Sequence, residues 1–315
     1  MTSASTDVPY LSDIDYSTRE FAECYDELPL WSAPFGLMML QHLPLRPDMA
    51  VLDVGAGTGF LSIELAQRCG PGSRVIAVDP WAGAMQRLRR KLDHLRLANV
   101  ELMISDAASL ALADNTIDLI VSNLGINNFD NATSVLATCF RVARPGGCLA
   151  LTTNLVGHMQ GFYDVYRESL RACDLDHLEQ ALDRHVGHRA TDTSLKAMLH
   201  DAGFVDVNLH TDQFALRFAN GTALLNHSFM RVGFMPAWKA LVPAPQHALF
   251  FRTLEQRLND LATRHGDLGF NVPMAYVAAR KPSPVQAPRS TAMSVQGCPS
   301  LLRRPAVATV TTAHR

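Results

Sequence analysis

The sequence has little of what marks several classes of protein. Its six cysteines form no C-x-x-C pair and no regular spacing, which argues against a disulfide framework or a zinc site and favours reduced thiols. No apolar run approaches the roughly 18 residues that cross a bilayer, and the polar N-terminus lacks the layout of a signal peptide. The formal net charge is -2 over 315 residues, so the sequence lacks the excess of basic residues that is typical of nucleic-acid enzymes. We therefore expect a cytoplasmic protein without metal, membrane or nucleic-acid partners.

One stretch organises the rest of the chain: Val51-Leu-Asp-Val-Gly-Ala-Gly-Thr-Gly-Phe-Leu-Ser-Ile-Glu-Leu-Ala66. An apolar run, three alternating glycines and apolar positions at helical spacing predict a buried strand, a tight turn and a helix. Gly55, Gly57 and Gly59 let the backbone bend sharply and leave room for a ligand that a Cβ would block. Free N–H groups at the helix start can then hold a carboxylate or phosphate.

Two cofactor classes use such a turn. The dinucleotide fingerprint G-x-G-x-x-G/A needs a small residue where this chain has Phe60, so the spacing G-x-G-x-G fits it poorly. The motif V-L-D-V-G-A-G-T-G instead resembles motif I of the class I S-adenosylmethionine (SAM)-dependent methyltransferases. A dinucleotide-dependent oxidoreductase stays open as the weaker alternative.

Four further segments follow in the order that this family uses, at residues 74–79, 100–107, 116–123 and 141–153. Asp79 is an acid at the end of the second predicted strand, where a carboxylate can accept both hydroxyls of a ribose. Asp before Pro80 is also a common turn, so a purely structural role stays open. The resemblance implies that Asp106, at the end of the third predicted strand, faces the adenine amino group.

The resemblance implies SAM as cofactor and S-adenosyl-L-homocysteine as product. In an open parallel sheet, ligands lie outside the carboxyl ends of the strands, which is where Asp79, Asp106 and Asn123 fall. The expected cofactor contacts come from the glycine turn and these strand ends: Asp53, Gly55, Gly57, Gly59, Asp79, Pro80, Trp81, Asp106, Ala107, Asn123 and Leu124.

We predict an α/β fold: a doubly wound, mostly parallel seven-stranded sheet of the Rossmann-like class I methyltransferase type with helical cap insertions. Residues 1–44 should form an N-terminal helical lid broken at Pro29 and Pro34, residues 45–154 the SAM-binding core, and residues 155–190 a helical cap insertion. Residues 191–280 should complete the sheet, with strands at 205–214 and 271–280 and a second insertion at 219–267. Residues 281–315 have the composition of a disordered tail. The basic stretch at 87–91 predicts an amphipathic helix with a solvated face.

Candidate substrate contacts lie in the lid, the fourth strand exit and the first insertion. Tyr25 and Trp31 could close over the methionine moiety or substrate, or could equally anchor the lid in the core. Asn127 and Asn128 could hydrogen-bond a polar substrate, or act as a helix N-cap. Tyr163 is a candidate for the pocket wall, although aromatic residues at helical spacing more often belong to a core.

Methyl transfer is an in-line displacement that needs alignment and exclusion of water, with a general base optional. His158 and His227 are the candidate bases, although a lone histidine in a cap is more often structural. The fourth strand exit, residues 122–130, lacks the N/D-P-P-Y loop of base- and amide-methylating enzymes. We therefore expect a methyltransferase that acts on an O, N, S or C nucleophile of a small molecule. A methyltransferase of RNA or protein and a non-catalytic SAM-binding module stay open, as do a monomer and a homodimer.

Overall fold

The computed structural model describes residues 8–26 and 31–283. In these residues the chain forms one sheet of seven strands. The strands are β1 (Ala50–Val54), β2 (Arg74–Val78), β3 (Val100–Met103), β4 (Ile117–Asn123), β5 (Ala143–Asn154), β6 (Val205–Phe218) and β7 (Leu268–Arg280).

The strand order is β3-β2-β1-β4-β5-β7-β6. The first five strands pair in parallel, and β7 runs antiparallel to both β5 and β6. In β1, Val51, Leu52 and Val54 are all at most 1% exposed, as expected for a parallel strand covered on both faces. The chain leaves β1 toward β2 on one side and later adds β4 on the other. This reversal opens a crevice at the carboxyl ends of β1 and β4, and the predicted fold class is confirmed.

Helices cover both faces of the sheet. They are α1 (Arg19–Asp26), α2 (Ser32–His42), α3 (Phe60–Arg68), α4 (Ala82–Leu95), α5 (Ala132–Val142), α6 (Gln160–Ala172), α7 (Glu179–Gly187), α8 (Asp192–Asp201), α9 (Gly221–Asn226), α10 (Ser228–Gly233), α11 (Met235–Ala240) and α12 (His247–His265). Helices α5 and α8 bury the smaller core, around Leu136 and Leu199. The other face carries the larger core, which includes α2, α3, α4 and both insertions.

The two insertions pack against each other on that larger face. Phe162 of α6 stacks on Trp238 of α11 with ring centroids 4.2 Å apart, and the Tyr166 hydroxyl donates to the Trp238 carbonyl at 2.8 Å. The Tyr10 hydroxyl donates to the Glu255 carboxylate at 2.8 Å, which ties the N-terminal segment to α12. The N-terminal segment and both predicted insertions therefore share one hydrophobic core on this face of the sheet.

Several element boundaries differ from the sequence prediction. Pro34 does not break the lid, because it lies in the first turn of α2, where a missing backbone N–H costs no hydrogen bond. Strand β3 ends at Met103, so Asp106 belongs to the following loop rather than to the strand end. Strands β6 and β7 are longer than predicted, because they continue to pair with each other from Phe214↔Val272 to Phe218↔Leu268. The predictions for Pro29 and for residues 284–315 lie outside the described residues.

The basic stretch of α4 does not simply face water. Arg87 and Lys91 both bind the Asp26 carboxylate of α1, at 3.0 and 2.6 Å, and Arg90 binds Glu23 at 2.8 Å. The basic face of α4 therefore fastens α1 to the core. Within residues 8–26 and 31–283, no helix is both long and apolar enough to cross a membrane.

Candidate functional site

The glycine turn between β1 and α3 has the geometry that its sequence predicts. Gly55, Gly57 and Gly59 have φ values of 76°, 54° and 89°, a region that disfavours side chains. A Cβ on Gly59 would collide with Leu88 of α4, whereas a Cβ on Gly57 would project into open space. Gly59 is therefore needed for packing, and Gly57 keeps a surface clear for a ligand.

Asp79 joins the second strand to this turn. Its two carboxylate oxygens accept the backbone N–H groups of Gly57 and Trp81, each at 2.8 Å. Burial raises the pKa of Asp79, and these two hydrogen bonds oppose that rise. The bond to Trp81 shows the structural role that an Asp before Pro80 suggested. Each oxygen keeps a further lone pair, so the same carboxylate can also accept hydroxyl groups.

A cavity of about 870 Å³ opens at the carboxyl ends of β1, β2, β4 and β5, within the size range of small-molecule sites. Seven predicted cofactor residues line it: Gly55, Gly57, Asp79, Pro80, Trp81, Asn123 and Leu124. Four predicted substrate residues also line it: Tyr25, Trp31, Asn127 and Asn128. The topology thus brings together residues from the lid, the glycine turn and three strand exits.

The other predicted cofactor residues do not form this wall. Asp53 is 1% exposed and accepts the Ser62 hydroxyl at 2.6 Å beneath the turn. Burial raises the pKa of Asp53 to about 7, although Ser62 opposes the rise. Gly59 packs against α4, as described above. Asp106 is an N-cap that accepts the Ala108 N–H at 2.9 Å, and neither it nor Ala107 lies on the cavity wall.

Aromatic rings of the lid close the wall around Trp81. Its ring centroid lies 5.7 Å from that of Phe21 and 5.3 Å from that of Tyr25. Burial raises the pKa of the Tyr25 phenol, and the Asp79 charge adds to the rise. Trp31 stacks on Phe229 of α10 at 5.6 Å. Tyr25 and Trp31 therefore anchor the lid and also line the cavity, and their contact with the methionine moiety or substrate stays a prediction.

Two side-chain hydrogen bonds fix Asn123 at the end of β4. The Asn123 side chain accepts the Thr152 hydroxyl at 2.7 Å and donates to the Ser32 carbonyl at 3.1 Å. The N-cap of α5 is Asn131, which accepts the Ser134 N–H at 3.0 Å. The alternative role of Asn127 or Asn128 as that cap is thus wrong; both residues line the cavity, and the Asn127 side chain is hydrogen-bonded to Thr153 and Asn154.

Neither candidate base lies on the cavity wall. His158 is fully buried, and both of its ring nitrogens lack a hydrogen-bond partner. Burial, aided by the Arg189 charge, lowers the pKa of His158 to about 3. His227 packs edge-on against Phe218 at 5.4 Å. Tyr163 is fully buried as well, with its hydroxyl 3.4 Å from the Trp238 indole nitrogen. The placement of these three side chains does not support their predicted roles.

Several wall residues were absent from the sequence prediction, because no local motif marks them. They come from the glycine turn, the end of β5, the loop before α8, and α10 with its flanking loop: Thr58, Asn154, Arg189, Phe229, Val232 and Phe234. Asn154 could have been found as the last residue of a predicted strand. Arg189 had no such signal, since the sequence shows only an isolated arginine in an insertion.

The sheet order, the glycine turn and the cavity at the strand ends define a Rossmann-like nucleotide-binding enzyme fold. A family model described as a methyltransferase domain matches residues 51–147. The ubiquinone/menaquinone biosynthesis C-methyltransferase UbiE of Salmonella paratyphi B is 30% identical over 177 residues, which span 53% of this chain and 70% of UbiE. The chain belongs to the class I SAM-dependent methyltransferases.

Solved structures agree on the fold. YcgJ of Bacillus subtilis superposes with a TM-score of 0.52 at 14% identity, over 80% of this chain and all of YcgJ. Phosphoethanolamine N-methyltransferase 2 of Haemonchus contortus gives 0.52 at 16% identity, over 88% of this chain and 61% of that one. The cofactor of the chain is SAM, and the residues fit it: the clear surface at Gly57 and the buried carboxylate of Asp79 form a cradle that a Cβ would fill.

Proposed function

We propose that this methyltransferase acts on a small-molecule acceptor inside the cavity. The observation that carries the proposal is the make-up of the wall, which the lid aromatics and α10 close from two sides. Among the cavity residues within 8–26 and 31–283, only Lys91 and Arg189 are basic, and Lys91 is paired with Asp26 at 2.6 Å. An enzyme that modifies RNA would need an open groove lined by basic side chains.

The cofactor half of the cavity is assigned to the glycine turn and β2. We infer that Gly57 leaves space for the cofactor and that Asp79 accepts hydroxyls of its ribose. Trp81 would cover the same part of the cofactor, since its backbone and side chain are fixed by Asp79 and by Phe21. Asn123 and Leu124, at the exit of β4, would contact the methionine end.

When bound, SAM supplies an electrophilic methyl carbon. The chain's own contribution is to hold the acceptor in line with that carbon and to keep water away. Trp31, Phe229 and Phe234 do both, because their rings meet at centroid distances of 5.1 to 5.9 Å and form one apolar wall. Within the described residues no histidine lines the cavity, so the proposal assigns no histidine as base.

The relative UbiE supports the same class of acceptor, since its name assigns it to ubiquinone and menaquinone biosynthesis. The cytoplasmic location predicted from the sequence is part of this proposal.

The test is to incubate the purified protein with a cell extract and SAM that carries a deuterated methyl group. Mass spectrometry would follow the label in metabolite, RNA and protein fractions. Label in one metabolite is the expected result. Label in RNA or protein would overturn the proposal in favour of a polymer substrate, and SAM binding without any labelled product would favour a binding module.

A matched pair of variants tests the cofactor assignment. Asp79→Ala should weaken SAM binding measured by calorimetry, because it removes a buried carboxylate that fixes both the Gly57 and Trp81 amides. Glu64→Gln is the control, since Glu64 also lines the cavity but is already paired with its helical neighbour at 2.8 Å. Equal SAM affinity in both variants would contradict the assignment.

A further inference from the structure

In the part of the chain that the structure describes, every charged residue of the cavity wall but one has a partner for its charge. Five charged residues of that part line the cavity: Asp26, Glu64, Asp79, Lys91 and Arg189. Asp26 and Lys91 bind each other, Glu64 pairs within α3, and Asp79 accepts two backbone amides. Arg189 forms no ion pair with a carboxylate of residues 8–26 or 31–283, and its Nε is buried without a hydrogen-bond partner.

A half-buried guanidinium without a counter-charge is costly. Burial lowers the pKa of Arg189, yet a guanidinium stays protonated at neutral pH. Buried charges in proteins are therefore normally paired or hydrogen-bonded. An arginine that faces a ligand cavity in this condition is suited to an anion that arrives with the ligand.

A second unpartnered donor lies beside it. Asn154 is 1% exposed and lines the same cavity. The Thr153 hydroxyl donates to the Asn127 side-chain oxygen at 2.6 Å, and the Asn127 amide donates to the Asn154 side-chain oxygen at 2.9 Å. This relay uses the acceptor end of Asn154 and leaves its Nδ2 buried with no partner. The relay therefore ends on a free hydrogen-bond donor at the cavity.

Backbone pairing sets the two residues side by side. Leu155 and Ala190 form a parallel bridge, and the Val156 N–H donates to the Ala190 carbonyl at 3.0 Å. Asn154 immediately precedes Leu155, and Arg189 immediately precedes Ala190. The two residues are therefore neighbours across the two paired segments. The first insertion is thereby returned to the end of β5 with its arginine at the cavity.

We propose that Asn154 and Arg189 form an oxyanion subsite that binds a carboxylate or phosphate group of the acceptor. This proposal rests on the proposed function and names its substrate class: a small acceptor that carries an anionic group. The planar guanidinium and the amide N–H match the oxygens of such a group.

The methionine carboxylate of SAM is the other possible source of an oxyanion. The strand order separates Asn154 from the proposed ribose contact, because β5 lies three strands from β2. At about 4.8 Å per strand, the Asn154 end of β5 is roughly 14 Å from the Asp79 end of β2. The proposed methionine contacts Asn123 and Leu124 lie closer, since β4 is the neighbour of β5, so the S-adenosylhomocysteine affinity of Arg189→Gln distinguishes the two sources of the oxyanion.

The test uses the labelled product of the extract experiment and the variant Arg189→Gln. The labelled metabolite should bind an anion-exchange resin at neutral pH, and phosphatase treatment would separate phosphates from carboxylates. With that metabolite's precursor as substrate, Arg189→Gln should raise KM by about 30-fold or more, because a buried charge pair loses a partner. Its affinity for S-adenosylhomocysteine, measured by calorimetry, should stay within about twofold.

Two further variants accompany the KM measurement on Arg189→Gln, one as a control and one as an independent test of the subsite. Arg74→Gln removes an exposed arginine paired with Glu101 at the start of β2, away from the cavity wall, and should leave KM unchanged. Asn154→Asp keeps the shape of the site but supplies an internal carboxylate, so it should raise KM even if Arg189→Gln does not fold. A labelled metabolite that carries neither a carboxylate nor a phosphate group would overturn the subsite while the proposed function stands. A large loss of S-adenosylhomocysteine affinity in Arg189→Gln would reassign the arginine to the cofactor, and label only in polymer would refute the proposed function itself.

Discussion

Asp53 offers the sharpest test of how burial shapes the site. Its carboxyl group is 1% exposed beneath the glycine turn, and burial raises its pKa from an ordinary 3.8 to about 7. Between these values the native state keeps a proton that the unfolded chain has lost. The stability contributed by this proton is complete below about pH 4 and is lost as the pH rises to about 7.

The perturbation is Asp53→Asn, which keeps the Ser62 hydrogen bond and cannot ionise. The free energy of unfolding of the variant minus that of the natural protein should rise by about 1.4 kcal/mol per pH unit between about pH 4 and 7. That amounts to about 4 kcal/mol across the window. Any fixed cost of the substitution shifts this difference by a constant and leaves its slope unchanged.

The experiment compares the free energy of unfolding of the two proteins, because other groups also titrate in the same pH window and affect both proteins alike. His158, with its pKa lowered to about 3, makes the natural protein less stable as the pH falls below 6.5, which opposes the effect of Asp53. Urea unfolding followed by circular dichroism at several pH values between about 4 and 8 would give the slopes. Ser62→Ala, which removes the hydrogen bond that lowers the pKa of Asp53, should extend the upper end of the window to higher pH and leave its lower end unchanged. A difference that stays flat from pH 4 to 7 would refute the argument.

Three other predictions follow from the same packing. Gly57→Ala should cost about 1–2 kcal/mol of stability from its positive φ and should weaken SAM binding. Gly59→Ala should cost more stability, because the new Cβ meets Leu88; similar Tm values for the two variants would contradict this. A double-mutant cycle of Asp26→Asn and Lys91→Met should give a coupling of about 1 kcal/mol, measured by urea unfolding, and a zero coupling would mean that the pair does not fasten the lid. His158→Phe should reduce the loss of stability below pH 6.5 and keep methyl transfer, whereas lost activity in a folded variant would restore His158 as a candidate base.

Much of the site was determined by the sequence alone. The alternating Gly55, Gly57 and Gly59 require a turn of positive φ, whatever the rest of the chain does, because glycine avoids the steric cost of that region. Asp79 follows directly from the apolar run of β2, so its place at a strand end needs only the parallel sheet. Local signals of this kind also underlie the predicted bounds of the lid and of both insertions, which stay predictions.

Tertiary structure decided which side chains of the insertions reach the cavity. His158, Tyr163 and Arg189 are all polar residues in one insertion, and sequence periodicity does not say which of them face the core. Packing of α6 on α11 buried the first two, while the bridge between Leu155 and Ala190 returned Arg189 to the end of β5. The bridge joins residues 35 positions apart, and such pairing depends on how the helices between them pack rather than on any local preference. The sequence therefore determined the glycine turn and Asp79, on which the proposed cofactor half depends, and the fold alone decided which residues form the proposed acceptor half.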